Sequence, residues 1–248
     1  MPMDIQYLSE PDLKDPVMIA AWPGMGYLAK ISADYLRRRL KAEKYAEIVY
    51  YQNSIVYKNG LAELPPLKHK FYSAPDQNLI ICVGDAQPST PEETQKLANQ
   101  VLDLAEKYNV KTIYTMAAYP SDYKDTPSVY GIYTEENMRE ELDAHGVDFI
   151  EDEGAVNGLN GILIGLAKHR GIKGVCLMGE IRYANVPQHL SAKAVIERLA
   201  SLMNLEIDTS HLVKRAKKID ASIRKSLQDY EKDEDHIKKE DKSYRYIS

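Results

Sequence analysis

Cysteine is scarce in this chain. Only Cys82 and Cys176 occur, each inside an apolar run. Two such residues do not make a disulfide framework, and thiols in that setting behave as small buried hydrophobes. A reducing cytoplasm is therefore the expected setting. An excess of positive charge is missing too. The 32 Lys and Arg stand against 37 Asp and Glu, a formal net charge of −5. That balance argues against a nucleic-acid partner, which ordinarily calls for a basic face. No apolar run approaches the roughly 20 residues of a membrane-spanning helix, so no membrane partner is expected. The opening MPMDIQYLSEPDLKD has no basic segment followed by an apolar one, so no secretory leader is expected.

The motifs of catalysis are equally sparse. The six histidines are scattered, with no HExxH or HxH spacing and no Cys/His cluster, so no metal site is expected. There is no GxSxG elbow and no phosphate loop carrying a lysine. Neither cysteine sits on an exposed electropositive turn, the setting that a nucleophilic thiolate needs. No catalytic residue and no cofactor is assigned.

What the chain does have is tyrosine: 18 Tyr against 2 Phe and 1 Trp. A large ring with a polar tip suits half-buried strand positions and subunit interfaces alike. It also has a dense glycine pattern between Gly154 and Glu180, GAVNGLNGILIGLAKHRGIKGVCLMGE. Gly154, Gly158, Gly161 and Gly165 recur at intervals of four, three and four, so on a helix the last three share a face. Glycine weakens helices, so its repetition points to close backbone approach. The unit reads as a glycine loop, a short apolar helix ending near Arg170, and a buried strand over Gly174 to Met178.

The remaining chain alternates in the same way. Apolar runs at Val17–Trp22, Asn78–Val83 and Lys111–Met116 read as strands covered on both faces. Asp4–Leu8 reads as a short edge strand, Glu47–Tyr57 as one or two strands bent at Gln52-Asn53, and His69–Tyr72 and Val147–Ile150 as short strands. Helical periodicity covers Tyr27–Leu40, Pro91–Tyr108, Thr134–Ala144 and Ser191–Asn204. Thr90 is the expected N-cap of the second, followed by Pro91 and Glu93, and Ser191 of the fourth. A long loop rich in Tyr, Pro and Ser is expected from Ala117 to Tyr133. This alternation predicts an α/β fold of three layers, a mostly parallel or mixed sheet flanked by helices.

From Thr209 onward the pattern changes. Leu212, Ala216, Ile219, Ile223, Leu227 and Tyr230 form one apolar stripe on a charged helix. The expected division is an α/β domain over 1–208, an amphipathic C-terminal helix over 209–231, and a charged tail over 232–248 that frays.

A ligand cleft, if the fold carries one, belongs at the carboxyl ends of the parallel strands. Gly24, Gly26, Asp85, Asn157 and Glu180 are its candidate lining. Pro23-Gly24-Met25-Gly26 follows a strand and could aim backbone N–H groups at an anion. A tight structural turn is the favoured reading of it. Asp85 and Glu180 each follow a buried strand and a glycine. Acid–base work and the capping of a following helix are both open to them.

Three segments together resemble the PAC2 family of proteasome assembly chaperones: Ala21-Trp22-Pro23-Gly24-Met25-Gly26, Gly158-Leu159-Asn160-Gly161 and Cys176-Leu177-Met178-Gly179-Glu180. The size and acidity resemble an archaeal member. The resemblance implies a fold like that of purine nucleoside phosphorylases with no established enzymatic activity. It also implies homo-oligomers or heterodimers that engage 20S proteasome α-subunits during ring assembly, and of these a homo-oligomer is expected here. Tyr119, Tyr123, Tyr130, Tyr230, Tyr244, Tyr246 and Ile247 are the expected contact residues. Some relatives dock a terminal motif of a hydrophobic residue, a tyrosine and any residue. Here Ile247 takes the tyrosine's place and Tyr246 stands one position early. Two alternatives are a nucleoside- or phosphate-binding protein or enzyme that uses the cleft, and a structural oligomer whose partner is mainly itself.

Overall fold

The computed structural model describes residues 4–51 and 55–223. Its strands are β1 (Ile5–Tyr7), β2 (Val17–Ala21), β3 (Glu43–Tyr50), β4 (Val56–Lys58), β5 (Leu61–Glu63), β6 (Leu67–Ala74), β7 (Leu79–Gly84), β8 (Thr112–Pro120), β9 (Val129–Tyr133) and β10 (Lys173–Ile181). Eight of them form one sheet in the order β1-β3-β6-β7-β2-β8-β10-β9, while β4 and β5 pair only with each other. The centre, β7-β2-β8-β10, is parallel. The wings, β1-β3-β6-β7 on one side and β10-β9 on the other, are antiparallel.

The helices are α1 (Leu28–Arg39), α2 (Pro91–Lys107), α3 (Arg139–Ala144), α4 (Leu159–His169) and α5 (His189–Leu202). Strand β2 shows how they cover the sheet. Met18, Ala20 and Trp22 join Leu97, Val101, Leu159 and Leu163 of α2 and α4 in one core. Ile19 and Ala21 join Leu28, Leu36, Val195 and Leu199 of α1 and α5 in the other. Successive side chains of a strand point to opposite faces, so a run that is apolar throughout demands helices on both. The three-layer expectation is met, with a mixed sheet.

Several local expectations are revised. Tyr119 and Pro120 continue β8, and 129–133 form β9, so the loop expected from Ala117 to Tyr133 shrinks to 121–128. Val147–Ile150 is no strand; it makes one isolated bridge, Tyr130 to Asp148. Helix α5 begins at His189. Ser191 lies inside it and donates to the Glu180 carbonyl oxygen, so it ties the helix to β10 instead of capping it. Thr90 does cap α2, accepting from Glu93 N at 3.2 Å. Residues 210–223 are helical, with Leu212 and Ala216 buried on the expected stripe. Leu227, Tyr230 and the tail over 232–248 lie outside the described residues, as do Gln52 and Asn53, where a bend was expected.

Candidate functional site

The carboxyl ends of β7, β2, β8 and β10 form one edge, and the first turn on it follows β2. Trp22 follows the strand and Pro23-Gly24 leads to Gly26, whose φ of 63° is open to glycine at little cost. Gln188 fills the space beside it: a Cβ on Gly26 would stand 2.6 Å from Gln188 Cγ. The turn holds Gly26 N against the Ala184 carbonyl at 2.6 Å.

The amino end of α4 faces this turn, and side-chain amides join the two. Asn160 Oδ1 accepts from Trp22 N at 3.0 Å, and Asn160 Nδ2 donates to the Trp22 carbonyl at 3.2 Å. Gln87, in the loop after β7, donates from Nε2 to the Pro23 carbonyl at 2.7 Å. Its Oε1 accepts from Leu159 N at 2.8 Å. An anion at this helix terminus would use that same N–H. Gly158 takes φ 78° and lies so close to Gln87 Oε1 that a Cβ would collide with it. Of this turn and helix terminus, the Gln87 carboxamide thus takes one carbonyl, that of Pro23, and one N–H, that of Leu159.

The five candidate cleft residues do not converge. Asp85 turns toward β6, where Lys70 Nζ reaches Oδ1 at 2.9 Å and Lys68 N donates to Oδ2 at 3.2 Å. Lys30 Nζ donates to the Gly84 carbonyl at 3.2 Å. Glu180 is separated from β2 by β8. Its carboxylate accepts from Ser121 Oγ and Ser128 N, both at 2.8 Å, and Tyr130 OH lies at 3.4 Å. It pins the 121–128 loop to the sheet. Asn157 is exposed beside the α4 terminus, and its neighbour Asn160 makes the contacts. Strands β2 and β8 lie between β7, which Asp85 follows, and β10, which carries Glu180. None of the five lines the hollow of about 470 Å³ between the 125–129 segment and α5.

Reactive groups are buried. Cys82 is fully enclosed, and burial pushes its thiol well above the usual range. Burial pushes Cys176 up to about 11. His69, also fully enclosed, is pushed down to about 4 by burial. On β3, Glu47 is clamped by Lys44 and Lys68 at 2.8 Å each, and these hydrogen bonds hold its carboxyl below the usual range. Among the described residues no group of three or more His, Cys, Asp or Glu is placed to hold a metal ion. No described helix is long and apolar enough to cross a membrane.

The expected contact tyrosines divide into two sets. Tyr119 and Tyr130 pack against each other, ring centroids 5.0 Å apart, and Tyr123 lies under the Arg182 guanidinium at 4.4 Å. All three are half-buried. Tyr230, Tyr244, Tyr246 and Ile247 lie outside the described residues. Sequence reading missed the large apolar side chains that are exposed: Tyr57, Leu61 and Ile55 on the β4–β5 hairpin, and Met25, Tyr27 and Tyr183 on the carboxyl edge. It also missed Gln87, which no motif marks.

The PAC2 family model matches residues 18–227. An uncharacterized protein of Methanocaldococcus jannaschii is 29% identical over 222 residues, covering 86% of this chain and 83% of that one. Pyrococcus furiosus PbaB, described as an archaeal proteasome activator, is 32% identical with a TM-score of 0.80, over 90% of this chain and 98% of its own. P. furiosus PbaA, described as an archaeal homolog of proteasome-assembly chaperone, shares the fold at 24% identity and a TM-score of 0.75, over 98% and 99% of the two chains.

Proposed function

The chain belongs to the PAC2 family, and from that premise we propose that it acts as a proteasome-assembly-chaperone-like protein. It binds 20S proteasome α-subunits through protein–protein contacts and turns over no small molecule. It works in the cytoplasm as a homo-oligomer. The observation that carries this reading is the filled carboxyl edge. Gln87 and Asn160 hold the Pro23 carbonyl, the Leu159 N–H and both backbone groups of Trp22 with the protein's own amides. Large apolar side chains stand in solvent instead, and such groups mark interaction surfaces. The likeness to PbaB, described as an activator of archaeal proteasomes, supports the choice of partner.

The direct test is capture of recombinant archaeal 20S α-subunits by the full chain, alone and during α-ring assembly. Retention of α-subunits, or faster ring formation, is the expected result. Absence of both at high protein concentration would sink the proposal.

A further inference from the structure

The helix over 210–223 packs on α1 and α5. Its Leu212 is buried in the core that those helices share. Further along, Ala216, Ile219 and Ile223 share a small hollow with Tyr183, Pro187 and His189 at the amino end of α5. His189 is the first residue of α5. It is 9% exposed, and its Nδ1 is buried with no hydrogen-bond partner among the described residues. A neutral imidazole can sit so, with its proton on Nε2 and a bare lone pair on Nδ1. An imidazolium carries a proton on both nitrogens, so a charged N–H would be buried without an acceptor. Two further features oppose the charge. Arg215 acts on the ring from the facing helix, and the amino end of α5 is the positive end of its dipole. Burial first and Arg215 second hold the imidazole below the usual histidine range.

We propose that His189 is a pH-sensitive latch for this helix: protonation of its imidazole loosens 210–223 from α5 while the sheet and its other helices stay folded. The surrounding groups set the sign. Asp220, Arg182 and Tyr123 line the same hollow, and among the described residues no charged group of α1 does. Arg182 is engaged with the Tyr123 and Lys124 carbonyls. Asp220 is the one carboxylate there and favours an imidazolium, but it is exposed, so solvent screens it. Within α5, Lys193 lies one turn on and is paired with Glu197 at 2.7 Å. Release of the helix exposes the ring, so the open state binds the proton that the docked state refuses. The latch therefore holds in full above about pH 6.5 and weakens as pH falls below it. One pH unit lower, opening becomes easier by at most about tenfold. Local opening suffices, because only Leu212 and Ala216 of the helix are buried, and such elements open at lower free energy than a whole domain. The helix leads into the chain after 223, so its release changes how that end is held.

Amide hydrogen exchange of the full chain at about pH 7.5 and about pH 5.5, corrected for the intrinsic rates, tests this. In the wild type, peptides from 210–223 are expected to lose protection by up to about tenfold at the lower pH. His189→Gln keeps a polar side chain that does not titrate, and its loss is expected to stay below about twofold. Arg215→Gln keeps the imidazole but removes the facing charge, so its loss falls between the two. That variant decides the matter if His189→Gln does not fold. Equal protection of 210–223 at both pH values in the wild type overturns the inference. An undiminished loss in the variants overturns it too and assigns the effect to another group, such as His211, which is exposed on the same helix. Protection of 210–223 as high as that of the central strands at both pH values means that the helix opens only with the whole domain, and it overturns the separate release.

Discussion

Trp22 Nε1 donates to His69 Nδ1 at 2.9 Å, although their strands β2 and β6 have β7 between them. Gly84 on β7 makes the contact possible. A Cβ there would collide with the indole and stand 2.6 Å from His69 Nδ1. Tyr50 stacks on the imidazole at 5.1 Å with an interplanar angle of 10°. Since Nδ1 accepts, the proton sits on Nε2. Burial is the main reason that His69 is pushed down to about 4, with Lys70 and Lys30 adding to the effect and Asp85 opposing it.

The pH dependence of stability follows from that contact. Below pH 6.5 an unfolded histidine takes up a proton that folded His69 refuses until about pH 4. Its contribution to stability is therefore complete above 6.5 and lost as pH falls from 6.5 to 4, by up to about 3 kcal/mol. His69→Gln removes that part of the slope. Urea unfolding of wild type and variant at pH 7 and 4.5 measures it, and parallel losses would refute the assignment.

Asn160 is 5% exposed and holds both backbone groups of Trp22. Asn160→Leu keeps the volume but strips both partners inside a closed core. A loss of about 2–4 kcal/mol is expected, read from the urea midpoint at constant m-value. A loss of a few tenths would mean that the Asn160 amide is not what holds the end of β2.

Gln87→Ala frees the Pro23 carbonyl and the Leu159 N–H. A milder cost of about 1 kcal/mol is expected. Phosphate and nucleosides should leave the wild-type melting temperature unchanged, because Gln87 already takes the Leu159 N–H at this helix terminus. A clear rise in the wild type with either ligand would show a working pocket.

Two glycines of the same helix should respond oppositely to alanine. Gly165 is exposed with nothing within 4 Å of an added Cβ, so Gly165→Ala stabilises α4 by up to about 1 kcal/mol. A Cβ on Gly161 would run into the Val156 carbonyl oxygen, and Gly161→Ala costs about 1–3 kcal/mol. Thermal melts of both variants decide whether close packing explains the glycine spacing.

Glu180→Ala removes the side-chain bonds to Ser121 Oγ and Ser128 N at the two ends of the 121–128 loop and leaves only the backbone bonds of Ser121 N to Ile181 O and of Glu180 N to Ser128 O there. Faster tryptic cleavage at the exposed Lys124 and faster amide exchange at Ser128 are expected. If cleavage at Lys124 is as slow as in the wild type, the backbone bonds at its ends and Arg182, which binds the Tyr123 and Lys124 carbonyls, hold the loop without the Glu180 carboxylate.

Local patterns were legible where one residue's neighbours in sequence are also its neighbours in space. VMIAA announced a strand covered on both faces, Thr90-Pro91 the start of α2, and Leu212 and Ala216 a buried helical stripe. The glycine-rich unit from Gly158 to Glu180 was recognisable as loop, helix and strand, and with Ala21–Gly26 it carried the family likeness. The candidate cleft was not legible in the same way. Asp85 and Glu180 look alike in sequence, each closing a buried strand after glycine. Strand order then puts β2 and β8 between β7 and β10, and that order rests on pairings between distant segments.

Sequence determined the period of each segment, hence the α/β class and the apolar faces, because side-chain alternation is a local property of the backbone. Only the tertiary structure decided that Gln87, 64 residues from Pro23 and 72 from Leu159, would fill the carboxyl edge. Only it left the β4–β5 hairpin in solvent. A hydrogen bond across such separations depends on how strands are ordered, and exposure depends on what the rest of the chain fails to cover.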